Sequence, residues 1–183
     1  MQNEFELVQR AQHNLGEFTV LYDRYVDRIY AYVQRETGDV ELAQDIVSTT
    51  FEKALKNLPR YRWQGTTFGA WLYKIARNEI LMHHRQRRWT IPLLDVFFSP
   101  VSVEQVVQHN QEFDEVMVAM RQLPARDQEL LRLRYHEDLS HAEIGEILNK
   151  SARTIAVALH RALKRLRKQL SQSQQAVIYD ISI

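Results

Sequence analysis

Residues 140–170 read SHAEIGEILNKSARTIAVALHRALKRLRKQL, and this stretch carries the pattern that decides the fold. Ser140, followed three residues later by Glu143, is a capping box, which predicts that a helix begins there. A two-residue turn follows, and Ser151 can cap a second helix that runs to Leu170. Two helices joined by so short a turn, the second rich in Arg and Lys, predict a helix-turn-helix.

The second predicted helix and its turn carry seven Lys and Arg residues, and no acidic residue lies between positions 150 and 170. In a helix-turn-helix the second helix enters the major groove of DNA, and nearby basic side chains contact phosphates. A basic face that only contacts solvent is the alternative, but such a face usually includes acidic partners one turn away. We therefore predict DNA binding by the following residues: Lys150, Ser151, Arg153, Thr154, Val157, Arg161, Lys164 and Arg165.

Helical periodicity extends over most of the remaining chain. Apolar residues recur at three- and four-residue steps in five further segments, at about 17–35, 39–58, 68–88, 116–123 and 126–135. Gly38 and Pro59 end the first two of these helices, and Pro124 separates the last two. With only five Gly and four Pro among 183 residues, the chain is predicted to be all-α.

The segment PRYRWQGTT, residues 59–67, has no period and is predicted to be a loop. Aromatic and basic side chains are interleaved there and in the next helix, which suits unpaired bases that stack on rings while cations hold the backbone. Part of that helix is predicted to be core, namely Phe68, Trp71, Leu72 and Ile75, which leaves the rings of the loop as better candidates for base contact. The candidate set is Arg60, Tyr61, Arg62, Trp63, Lys74, Arg77, Asn78, Arg85 and Arg88.

The charges fall into four consecutive blocks of alternating sign, although the net charge of the chain is +1. The net charges of the blocks are −6 for residues 1–52, +8 for 53–88, −7 for 89–149 and +6 for 150–183. Each basic block coincides with a segment predicted to bind DNA. The alternation favours two modules that each present one face to a polyanion and another face to a different partner.

The predicted organisation is two small helical domains, 1–88 and 113–171, joined by a flexible linker at 89–112. The linker contains two of the four prolines and shows no long period. Residues 172–183 form a tail in which a polar spacer precedes an apolar, β-prone end. A frayed terminus is the favoured interpretation of the tail, and docking as an exposed strand is the alternative.

Several classes of function are disfavoured by composition. The chain has no Cys, so it has no disulfide framework, no thiolate metal site and no thiol nucleophile. A metal enzyme is suggested only by His136 and Glu137 with His141, and by other scattered His residues, but this spacing is one residue too long for the metalloprotease motif. No signal peptide or membrane-length apolar run is present, so we expect a cytoplasmic protein. No residue is singled out as catalytic, and no pattern indicates a cofactor, a metal or a small-molecule substrate, so none of these is expected.

Two long segments resemble the extracytoplasmic-function (ECF, group 4) sigma factors of bacterial RNA polymerase. The first, from Ala43 to Arg88, resembles region 2 of that family and includes the run FGAWLYKIARN at 68–78. The second, from Met120 to Arg167, resembles region 4 and includes the run LHRA at 159–162. Together they cover about half the chain, in the order and spacing of the family.

The resemblance implies that the first domain opens and reads a downstream minus-10 element and that the second reads an upstream minus-35 element. It implies docking of the helix at 39–58 on the clamp helices of the largest polymerase subunit, with region 4 at the flap of the second-largest. The implied polymerase contacts are Asp45, Ser48, Thr49 and Glu52. Members of the family are commonly held inactive by an anti-sigma factor, so a partner of this kind is expected.

The chain departs from the family pattern at three places. Ser48-Thr49 replaces a Gln and an acidic residue, and Met82 replaces an Asp. In the reading helix, residues 156–158 are Ala-Val-Ala where Lys-Ser-Arg is usual, and these side chains cannot form bidentate hydrogen bonds to bases. Arg153, where Gly is frequent, and Lys150 partly compensate in this interpretation. We expect phosphate and methyl contacts to dominate upstream binding, with sequence choice resting more on the first domain.

A stand-alone helix-turn-helix regulator, which binds duplex DNA without polymerase, is the alternative function. It would account for residues 113–170. It leaves the aromatic and basic loop and helix at 59–88 without a role.

Overall fold

The computed structural model describes residues 4–63, 65–90 and 111–180, with side chains described over 4–63, 65–86 and 115–171. The elements in chain order are α1 (Glu4–His13), α2 (Leu15–Thr37), α3 (Val40–Asn57), a short 3-10 turn (Leu58–Arg60), α4 (Phe68–Thr90), α5 (Gln111–Arg121), α6 (Ala125–Tyr135), α7 (His141–Leu148) and α8 (Ala152–Asp180). The described residues contain no strand, which agrees with the all-α prediction. The chain divides into two compact units, whose main helices are α1 to α4 and α5 to α8.

The first unit is built around α2, which packs against α1, α3 and α4. Gly38 ends α2 with a φ of 66°, a left-handed conformation that costs glycine little. Asp39 then caps α3, since its Oδ1 accepts a hydrogen bond from Leu42 N at 3.1 Å. The predicted apolar stripes turn inward, and the largest fully buried side chains of this unit are Leu7, Leu21, Ile29, Val33, Leu58, Phe68, Leu72 and Tyr73.

Helix α1 is an element that the periodicity argument did not predict. Its buried side chains, Leu7, Val8 and Ala11, pack towards α2 and the 3-10 turn. Their spacing of one and three residues is a helical signal, but only one turn long and surrounded by polar residues.

In the second unit α8 packs against α5 and α6. The predicted break at Pro124 is present, because α5 ends at Arg121 and α6 begins at Ala125. The core of the unit includes Leu130, Leu133, Ile144, Ile155, Leu159 and Ala162.

The tail differs from the sequence prediction. Helix α8 continues through residues 172–180, so this part of the predicted β-prone tail is helical. The reason is that Gln, Ser and Ala follow Leu170 with no Gly or Pro to end the helix. Residues 181–183, and positions 91–110 of the predicted linker, lie outside the described residues.

Candidate nucleic-acid interface

The loop between α3 and α4 presents two of the predicted aromatic residues, and each of them packs against at least one other ring. Tyr61 is half-buried and packs on Trp71 at a centroid distance of 4.6 Å and on Phe68 at 5.5 Å. Burial raises the pKa of the Tyr61 hydroxyl to about 12, and the carboxylate of Glu4 acts in the same direction. Trp63 is also half-buried.

Basic side chains lie near the Tyr61 ring. Arg60 and Arg62 are exposed on the loop, and both border one groove together with Tyr61, Lys74 and Asn78. Five of the nine residues predicted to contact downstream DNA are therefore brought together. Rings beside cations on a groove suit a single strand whose bases are unpaired.

Lys53 borders the same groove and was not among the predicted residues. Its Nζ lies 2.7 Å from Oε1 of Glu79, a side chain that is nearly buried. Glu79 is the single acidic residue of the basic block 53–88, but nothing in the sequence identifies Lys53, 26 residues earlier, as its partner.

The remaining downstream candidates lie further along α4. Arg77 is half-buried, and Arg85 is exposed with its Nε donating to Leu81 O at 3.3 Å. The side chain of Arg88 lies outside the described residues. Of the helix face predicted to be core, Phe68 and Leu72 are fully buried, whereas Trp71 and Ile75 are half-buried and also border the groove.

The helix-turn-helix is formed by α7, a tight turn and α8. The predicted capping box is present: Ser140 Oγ accepts from Glu143 N at 3.3 Å, and Glu143 Oε2 accepts from Ser140 N at 2.8 Å. The turn closes where Lys150 N donates to Gly145 O at 2.9 Å. A Cβ on Gly145 would lie 2.6 Å from Lys150 O, so the close approach of the turn to α7 requires glycine.

Helix α8 begins with a second cap and then presents the predicted basic face. Ser151 Oγ accepts from Thr154 N at 3.1 Å and shares a hydrogen bond with Thr154 Oγ1 at 2.8 Å. Both hydroxyl groups are thus engaged within the first turn. The exposed side chains that follow include Arg153, Val157, Arg161, Lys164, Arg167 and Lys168.

The three departures in the reading helix differ in exposure. Val157 is 46% exposed, whereas Ala156 and Ala158 are half-buried. Val157 is thus the one of the three on the exposed face, and it offers methyl groups rather than hydrogen-bond donors. Arg153 is exposed one turn earlier and is the first guanidinium on the helix.

Arg165 differs from the other predicted upstream contacts. Its Nη1 forms an ion pair with Oδ2 of Asp127, a residue of α6 that is 6% exposed. A guanidinium that neutralises a nearly buried carboxylate has a structural role in joining α8 to α6.

The residues predicted to contact the polymerase lie along α3. Asp45, Ser48 and Glu52 are exposed and Thr49 is half-buried. Ser48 Oγ donates to Glu52 Oε1 at 3.4 Å. Together with exposed Glu41 they make this helix face polar and acidic.

Neither a metal cluster nor a membrane-spanning helix is found in the part of the chain that the structure describes. Among the described residues, no three His, Asp or Glu side chains are grouped so that they could hold a metal ion. His109, one of the scattered histidines, lies outside that part of the chain. No described helix combines the length and the apolar character needed to cross a bilayer.

Two family models match the chain in succession. Residues 21–90 match Sigma-70 region 2, and residues 113–166 match Sigma-70 region 4. The two matches together cover more than half of the chain, and the first lies within one of the two units described above while the second falls mainly on the other.

Individual proteins are similar over most of the chain. The ECF RNA polymerase sigma factor BldN of Streptomyces coelicolor is 33% identical over 171 residues, covering 90% of this chain and 65% of BldN. RNA polymerase sigma factor YlaC of Bacillus subtilis is 29% identical over 167 residues, covering 85% of this chain and 92% of YlaC. The sigma factor RpoE of Bartonella quintana, solved with the anti-sigma factor NepR, shares the fold with a TM-score of 0.67 at 23% identity, covering 85% of this chain and 97% of that one.

Proposed function

The chain belongs to the ECF sigma factors of RNA polymerase, and we propose that it directs core polymerase to specific promoters and helps to open their downstream element. The observation that carries this proposal is the succession of a region 2 unit and a region 4 unit in one chain. The polymerase supplies the chemistry, and the sigma factor supplies binding and strand separation. Its place of action is the cytoplasm, where the polymerase works.

At the downstream element the loop 59–67 and the groove beside it receive the unpaired strand. Arg60, Arg62 and Lys74 contact the phosphates, and the exposed sides of Tyr61 and Trp63 stack on bases. Stacking of one base on an aromatic ring is worth about 1–3 kcal/mol, which is comparable with the few kcal/mol needed to extrude a base from duplex.

At the upstream element α8 enters the major groove. Lys150, Arg161 and Lys164 contact phosphates, and Val157 contacts thymine methyl groups. Arg153 is the residue of the first turn whose guanidinium can pair bidentately with guanine. We assign Arg165 to the ion pair with Asp127 rather than to DNA.

Helix α3 docks on the clamp helices of the largest polymerase subunit, with Asp45, Ser48 and Glu52 at the contact, and region 4 lies at the flap of the second-largest subunit. A protein partner that blocks this docking is also proposed, since RpoE of Bartonella quintana is described in complex with an anti-sigma factor.

Co-purification of the chain with purified core polymerase in the absence of DNA separates this proposal from a stand-alone regulator. A stable stoichiometric complex is expected. A chain that binds upstream duplex DNA but not core polymerase would favour the stand-alone regulator.

A further inference from the structure

Helix α1 holds the beginning of the loop 59–67 through one side chain. Gln12 Nε2 donates to Leu58 O at 3.0 Å and to Tyr61 O at 2.8 Å. These two carbonyl groups lie 46 and 49 residues away in sequence, where the chain leaves α3 and turns into the loop. The same amide group thus supplies a donor to Tyr61 O and a second donor to Leu58 O, which also accepts from Tyr61 N at 3.0 Å within the 3-10 turn.

A second side chain of α1 holds the end of the same loop. Glu4 Oε2 accepts from Phe68 N at 3.2 Å, which is the first backbone amide of α4. Glu4 Oε1 accepts from Tyr25 OH and lies 3.9 Å from Arg24 Nη1. A carboxylate at this position satisfies an amide that the helix leaves unpaired and interacts favourably with the helix dipole.

A third contact lies between these two. The rings of Phe5 and Trp63 form a T-shaped pair with a centroid distance of 5.6 Å. The buried side chains Leu7 and Val8 fix α1 to the core. The polar and aromatic contacts of α1 therefore hold the loop at a defined position relative to that core.

We propose that α1 is a strap that holds the loop 59–67 in the shape that receives unpaired bases, with Glu4 and Gln12 as its positioning residues. The role rests on the proposed function. A loop that is already ordered loses less conformational entropy when it binds, so removal of the strap weakens capture of the open strand. Neither residue needs to touch DNA for this effect.

The first test follows the loop itself, without DNA, in the full chain. Gln12→Leu and Glu4→Ala are compared with Gln9→Leu and Glu6→Ala, which change exposed residues of the same helix. Amide hydrogen exchange is measured at Tyr61, Phe68 and Ala70 and, as a reference, at buried positions of α3. We expect about tenfold faster exchange at the loop amides of the strap variants, the size expected for the loss of a hydrogen bond, with α3 unchanged.

The second test uses the complex with core polymerase and one promoter in two DNA forms. One form is unpaired across the downstream element, and the other is a duplex of the upstream element alone. The strap variants should bind the unpaired form about tenfold more weakly and bind upstream duplex and core polymerase as the wild type does.

The outcomes are distinguishable. Unchanged loop exchange, or faster exchange at α3 as well, overturns the strap, because the residues are then either dispensable or generally structural. Faster loop exchange with unchanged affinity for unpaired DNA also overturns it. If wild-type protein shows no affinity for unpaired DNA or for core polymerase, the proposed function fails, and the exchange result still reports whether α1 orders the loop.

Discussion

At the scale of single residues, charge alone does not reveal what a side chain does. Lys164 and Arg165 are adjacent in the sequence and both carry a positive charge, yet the second pairs with the nearly buried Asp127. Nothing in the spacing of α8 distinguishes them, because the partner lies 38 residues earlier, on α6. The seven cations of the basic block were predictable from the sequence, whereas their division between DNA and fold was not.

The ion pair predicts a difference in stability between two arginine variants. Arg165→Ala leaves the Asp127 carboxylate without its charged partner and should lower the free energy of unfolding by about 1–3 kcal/mol. Arg161→Ala, at an exposed position with no charged partner among the described side chains, should change it by less than about 0.5 kcal/mol. Urea unfolding followed by circular dichroism measures both. Equal stability of the two variants, with equal losses of DNA affinity, would mean that Arg165 is a phosphate contact after all.

We predict that base discrimination at the upstream element depends on Arg153. Arg153→Ala should remove discrimination at one base pair, worth about 1–3 kcal/mol. Arg161→Ala should instead weaken binding to all sequences and reduce the slope of log affinity against log salt by about 1. Titrations of upstream duplexes with single base changes, at several salt concentrations, check both. A wild-type specificity ratio above about 10³ would contradict our expectation that base readout here is weak.

At the scale of elements, the sequence predicted the features that are formed by residues close together in the chain. The capping box at Ser140, the turn after α7 and the cap at Ser151 are all present, because each involves residues within a few positions of one another. Helix α1 was missed because its main contacts, such as Glu4 with Phe68, join residues 64 positions apart. Helix α8 continues past Leu170 because no Gly or Pro interrupts the residues that follow, although the apolar end of that segment favours a strand.

The turn of the helix-turn-helix predicts a strong effect of a small substitution. Gly145→Ala would place a methyl group 2.6 Å from the Lys150 carbonyl oxygen, so the turn must move away from α7. We expect a loss of about 1–3 kcal/mol in stability and weaker upstream binding, because overpacking displaces the reading helix. Thermal unfolding and duplex binding report the two effects. Ala142→Ser, at an exposed position of α7, is the control, and a Gly145 variant that behaves like it would refute this account of the turn.

At the scale of the whole molecule, the alternating charge blocks correspond to different parts of the structure, most of which have separate proposed roles. The acidic start of the chain includes the exposed face of α3, proposed to contact polymerase, and the first basic block contains the loop and groove proposed to bind the open strand. The last basic block forms α8. A net charge near zero therefore conceals two cationic surfaces, each preceded in the chain by an acidic segment.

In the proposed role, this chain gives core polymerase its choice of promoter. Run-off transcription by purified core polymerase on a promoter library, with and without the chain, measures this effect. We predict transcripts that depend on the chain and whose templates are enriched for two short elements at a fixed spacing. Transcripts of equal yield without the chain, or chain-dependent transcripts with no shared upstream and downstream elements, would contradict the claim.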